Sequence, residues 1–109
     1  MEANWRAIDE LKTLQDLRVA INEVDEQILK LFARREEICI KIGEVKKAEG
    51  KAVLDTSREQ EKIAKNSAFV EKQLEESSMD EDRKECVRIG TRNLTETLMA
   101  EGRRIQSVQ

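Results

Sequence analysis

Histidine is absent from this chain, and so is proline. Without histidine there is no Ser-His or Cys-His nucleophilic scheme and no histidine acid–base step. Any chemistry must run on Arg, Lys, Asp, Glu, amides and hydroxyls. The two cysteines, Cys39 and Cys86, stand far apart with no CxxC pairing. Together with the missing histidine, that argues against a zinc site; they read as small buried hydrophobes. Aromatic residues are 3% of the chain, too few for the core of a sheet or barrel. No apolar run approaches about 18 residues and no secretory h-region is present, so a soluble cytoplasmic protein is the expectation. The net charge of −3 is spread over both signs, which points to neither a nucleic-acid nor a membrane surface.

What the chain does have is charge and helical period. Charged residues are 39% of its 109 residues and apolar residues another 39%, the composition of long amphipathic helices. From about Leu11 to Glu49 apolar residues recur in steps of three and four: Leu14, Leu17, Ile21, Val24, Ile28, Leu31, then Ile38, Ile42 and Val45. That is a heptad seam. Such a helix is about 60 Å long at ~1.5 Å per residue.

Two shorter helices follow. The first helix is expected to begin near Asn4, as a cap, and to stop at Glu49-Gly50, where glycine suits a C-terminus. After a connector, Lys51-Ala52-Val53-Leu54, a second helix begins near Asp55-Thr56-Ser57. There Thr56 and Glu59 have capping-box spacing and Asp55 adds negative charge. It carries Ile63, Val70 and Leu74 and fades at Glu75-Glu76-Ser77-Ser78. A third helix starts near Met79-Asp80, capped by Asp80 or Ser78, with an apolar line of Val87, Leu94, Leu98 and Ile105. Gly90 and Gly102 lie within it. The expected fold is all-α: three helices per chain, one very long, forming a single domain over residues 1–109. Two shorter helices cannot cover the first, so a second copy is the simplest cover and an intertwined homodimer is expected.

Three cations mark the long helix. Arg35 occupies a seam position between Leu31 and Ile38, while Arg18 and Lys46 fall on the line Arg18, Asp25, Phe32, Cys39, Lys46. Arg35 and Lys46 return to nearly one face about 16 Å apart, close enough for two long side chains to grip one small polyanion. Arg18 lies about 42 Å from Lys46 and cannot join it within one chain. In an antiparallel dimer it can approach the Arg35 and Lys46 of the other copy. The plainer reading is that these cations snorkel or pair with Glu23, Asp25, Glu36, Glu37 or Glu44; spacing alone leaves both open. Likewise Asp55, Arg58 and Glu59, taken alone, read as a capping arrangement.

The run from Leu17 to Glu61 resembles the all-helical class of chorismate mutase. The resemblance rests on Leu17-Arg18, Ile21 to Leu31 with Asp25, Arg35, Ile42-Gly43 to Lys46, and Asp55 to Glu59, all without a gap. It extends more weakly to the third helix, where that family places a small hydroxyl residue and, four positions later, Gln or Glu. Gly102 and Gln106 fit that spacing, with Gly102 lacking the hydroxyl; a competing register puts Thr95 and Met99 there.

The resemblance implies an enzyme that converts chorismate to prephenate, in aromatic amino-acid biosynthesis, by a one-step Claisen rearrangement. It implies no metal or cofactor and a dicarboxylate substrate. By resemblance, Arg35 and the other copy's Arg18 hold the carboxylates, while Lys46 and Gln106 donate to the ether oxygen. Glu59 and the backbone near Asp55 engage the ring hydroxyl, with Arg58 nearby and Gly102 beside the substrate. Two alternatives stand: an isochorismate pyruvate-lyase or aminodeoxychorismate mutase of the same fold, and a non-catalytic helical dimerisation module. Glu59, an acceptor for a ring hydroxyl, favours chorismate.

Overall fold

The structure is a computed structural model and describes residues 5–108. Asn4, the expected cap of the first helix, lies outside the described residues. Among these are a short 3-10 helix, Trp5–Glu10, and three α-helices: α1, Leu14–Ala48; α2, Thr56–Glu75; and α3, Glu81–Gln106. No strand occurs among the described residues.

The long helix is interrupted where its apolar period runs on. Leu11 N–H donates to the Ile8 carbonyl at 3.1 Å and closes the 3-10 segment. Thr13 then opens α1. Its Oγ1 accepts from Asp16 N–H at 3.0 Å, and its carbonyl accepts from Leu17 N–H at 3.1 Å. A threonine in that role satisfies one of the orphan donors of the first turn, and Asp16 suits the positive helix end. The expected start near Asn4 is thereby corrected to Leu14.

The other end of α1 stops at glycine as its sequence suggests. Gly50 has φ 70°, a left-handed conformation that costs glycine nothing. It permits two closing bonds, Lys51 N–H to the Lys46 carbonyl at 2.8 Å and Gly50 N–H to the Lys47 carbonyl at 3.2 Å. This is a Schellman closure, and it reverses the chain towards α2.

The cap of α2 is Asp55, whose side chain accepts from Arg58 N–H at 3.0 Å. The expected box between Thr56 and Glu59 does not form. Thr56 is already the first helical residue, and the Glu59 carboxylate turns to another helix. Asp80 caps α3 in the same way, accepting from Arg83 N–H at 2.9 Å.

The chain divides into two compact units, Met1–Glu37 and Ile38–Gln109. The first holds the 3-10 helix and most of α1. Several large apolar residues of its seam are exposed, from Leu17 at 40% to Leu31 at 67%. The second holds the end of α1, α2 and α3. Here α2 and α3 pack antiparallel: Glu59 meets Arg103, Asn66 meets Thr95, and Glu71 meets Arg88. Leu74, Thr95 and Gly102 are buried on these two helices, and Cys39 on α1; Cys86, expected to be buried like Cys39, is exposed. Ile38, Ile42 and Val45 remain exposed.

Candidate active site

The site is built where the last turn of α3 meets the end of α1. Gly43 makes the approach possible. A Cβ added there would sit 3.1 Å from Gln106 Cβ and 3.2 Å from its Cα and Cγ, inside ordinary carbon contact of ~3.5–4.0 Å. One helical turn of α1 further, Lys46 meets the same residue. Its Nζ donates to Gln106 Oε1 at 3.1 Å and to the Val53 carbonyl at 2.7 Å. Both Lys46 and Gln106 are half-buried.

Two of the three ammonium protons are thus directed within the chain, and one remains for a ligand. The glutamine oxygen faces the lysine, so its NH₂ group is left to donate elsewhere. This assignment of the amide follows from its hydrogen-bonding partner. The pair presents donors without a general base, a nucleophile or a histidine. It suits negative charge developing on a ligand oxygen.

The competing placement of the third helix meets different surroundings. Thr95 is buried, and its Oγ1 accepts from Asn66 Nδ2 at 3.1 Å. It is Gln106, and not Met99, that hydrogen-bonds Lys46. Gly102 lies one turn before Gln106 and is buried.

At the start of α2, Asp55 is occupied in capping. Arg58 is exposed and reaches Glu61 at 3.2 Å. Glu59 points to α3, where Arg103 Nη1 donates to its Oε2. Arg18 and Arg35 belong to the unit Met1–Glu37, where Arg18 is exposed and Arg35 half-buried.

Three residues make contacts that no local sequence pattern marks. Val53 contributes only a carbonyl, which no side-chain pattern reveals. Arg103 forms its pair with a residue 44 positions away, beyond any local rule. Gly43 was visible within the motif, but its role depends on the approach of α3.

A second polar cluster lies on α2 and α3, around a groove of about 330 Å³ lined by Ser67, Glu71, Arg88 and Arg92. Arg88 bonds Glu71 at 2.8 and 3.0 Å, Glu81 at 2.7 Å and Glu85 at 3.3 Å. Those hydrogen bonds, first to Glu71 and then to Glu81, raise the Arg88 pKa still further. Reciprocally, the hydrogen bonds from Arg88 hold the Glu71 carboxyl below its ordinary range. A guanidinium already shared by three carboxylates is a structural hub. No group of three or more Asp, Glu or Cys residues among the described ones is placed to hold a metal.

The family model described as chorismate mutase type II matches residues 17–107 of the chain. No curated protein and no solved structure matches it.

Proposed function

The chain belongs to the chorismate mutase type II family, and on that premise we propose that it isomerises chorismate to prephenate. The observation that carries this reading is the Lys46–Gln106 pair, two donors held together by α1 and α3. In the rearrangement a C–O bond breaks as a C–C bond forms within one molecule. No proton, electron or group is exchanged with the protein. Negative charge grows on the ether oxygen as its bond to carbon lengthens. Lys46 and the amide of Gln106 donate there, and they stabilise the transition state more than the ground state. The hydrogen bonds from Lys46 to Gln106 and to the Val53 carbonyl exist before substrate arrives, so little reorganisation accompanies the reaction.

The rest of the site orients the substrate. Arg35 and the Arg18 of a second copy hold the two carboxylates. Glu59 accepts from the ring hydroxyl beside the first turn of α2, near Asp55 and Arg58, and Gly102 lies against the bound ring. Together these contacts select the compact conformer in which the two reacting carbons are close.

The second copy is part of the proposal. Among the described residues the buried ones are Cys39, Leu74, Thr95 and Gly102, a small core for a chain of 109 residues. Leu14, Leu17, Ile21, Ile28 and Leu31 are all exposed. A contiguous apolar stripe of that kind calls for a partner, and a homodimer joined along α1 buries it.

The test is to incubate the purified protein separately with chorismate, isochorismate and aminodeoxychorismate. Chorismate absorbance should fall and prephenate should accumulate. A folded protein that leaves chorismate unchanged while releasing pyruvate from isochorismate would replace this reading with a lyase. One inert towards all three would leave a dimerisation module.

A further inference from the structure

Glu59 is not an isolated carboxylate. Arg103, on the last turn of α3, is ion-paired with it across to the first turn of α2. The pair is partly withdrawn from water: the Glu59 side chain is 24% exposed and that of Arg103 36%. Arg103 donates to Oε2, and Oε1 keeps its lone pairs for a ligand. Arg103 lies three residues before Gln106, so the two share a face of α3. The motif residues that mark the family resemblance do not include Arg103.

Resting on the isomerase reading above, we propose that Arg103 determines specificity: it makes Glu59 an acceptor for a neutral ring hydroxyl and a poor seat for a ring ammonium. A lone carboxylate attracts an ammonium by Coulomb interaction as well as by hydrogen bonding. A guanidinium on its second oxygen cancels that attraction and places a like charge a few ångströms from the ammonium. A hydroxyl carries no net charge and still finds a lone pair to donate to. The Glu59–Arg103 pair therefore separates hydroxyl-bearing from amino-bearing ring dicarboxylates. A purely structural tie between α2 and α3 would weaken both ligands alike when broken.

The experiment compares chorismate with its ring-amino counterpart, aminodeoxychorismate, on the parent, Arg103→Met and Arg103→Lys. Turnover is measured as kcat/KM, and binding is measured separately by calorimetry. Circular dichroism and sedimentation check each variant's fold and assembly. The parent should favour the hydroxyl ligand. Arg103→Met should shift the amino-to-hydroxyl ratio upward by about tenfold or more, the scale of one like-charge contact in a partly screened site. Arg103→Lys, which keeps the charge, should hold the parent ratio.

A ratio in Arg103→Met within about twofold of the parent overturns the proposal, as does a lysine variant relaxed as far as the methionine one. The two readings fail separately. Absent turnover with binding that discriminates and then relaxes would sink the isomerase and keep the role of Arg103. Turnover of chorismate with an unmoved ratio would do the reverse. A folded parent that binds neither ligand would end both.

Discussion

Replacing Gly43 by alanine tests whether the approach of α1 to α3 sets the site. The added methyl would sit 3.1 Å from Gln106 Cβ and 3.2 Å from its Cα. That is short of ordinary carbon contact by roughly 0.4 Å or more. Neither atom can rotate away, because one is backbone and the other is fixed to it. The last turn of α3 must therefore slide. The Lys46–Gln106 bond, at 3.1 Å, already lies near the long end of the usual ~2.7–3.2 Å range. A further displacement of ~0.4 Å would take it out of that range. The amide would then lose its anchor and its aim. Loss of one preorganised donor costs on the order of 10²-fold in kcat, and a partial loss should fall between about 10- and 100-fold.

Stability moves by a comparable or smaller amount. Alanine gains up to about 1 kcal/mol over glycine inside a helix, while overpacking costs ~1–3 kcal/mol. The net change is a destabilisation of at most about 2 kcal/mol. Gly90→Ala is the internal control, because nothing lies within 4 Å of a Cβ built there. It should raise Tm by a few degrees and leave kcat/KM alone, since it brings only the propensity gain. The assay is continuous loss of chorismate absorbance, with thermal melts run in parallel. A Gly43→Ala variant at parental kcat/KM would mean that the close approach of α1 to α3 does not set the site, whatever its Tm.

Other expected outcomes follow from the same geometry. Gln106→Ala should lose about 10²-fold in kcat; Gln106→Glu should work best in acid, because only a protonated carboxyl donates to the ether oxygen. Matching profiles for both variants and the parent across about pH 5–8 would remove Gln106 from that role. Sedimentation at micromolar concentration should give twice the chain mass, and an active monomer would sink the shared site. Arg18→Ala and Lys46→Ala should each be nearly inactive, yet refolded together should regain up to about a quarter of activity, since half the dimers are mixed and each carries one intact site. Arg88→Met should lower Tm at neutral pH. Glu71 has a depressed pKa in the fold, so its contribution is present above about pH 4.3 and is lost as pH falls through the lower folded value. The Tm gap between parent and variant should therefore narrow in acid; a gap independent of pH would assign the effect to packing.

The regular parts of the fold were legible because they rest on local rules. Gly50 ends α1 and Asp80 starts α3 where backbone chemistry demands a glycine and a cap. The break before α1 was hidden because Leu11 and Leu14 keep the three-residue step across it. Thr13 and Asp16 carried the missed signal. At α2, Asp55 and Thr56 are adjacent cap candidates, and their order was decided by Glu59, whose carboxylate is drawn to Arg103 rather than back to the helix start. The Lys46 side of the site was visible as spacing along one helix. Gln106, 60 residues away, follows from the family resemblance and from no spacing rule, while Val53 offers only main chain and leaves no sequence signal.

The connector after α1 serves as a gauge of chain length. Lys46 anchors it twice, through its carbonyl to Lys51 N–H and through its ammonium to the Val53 carbonyl. The number of residues between 46 and 53 therefore fixes where the ammonium rests. Evolution and engineers alike should find insertions at 51–53 far more harmful than insertions at 76–79, where the Ser77 hydroxyl accepts from Met79 N–H. Lineages descended from this chain should vary in length at the second turn and hold it constant at the first.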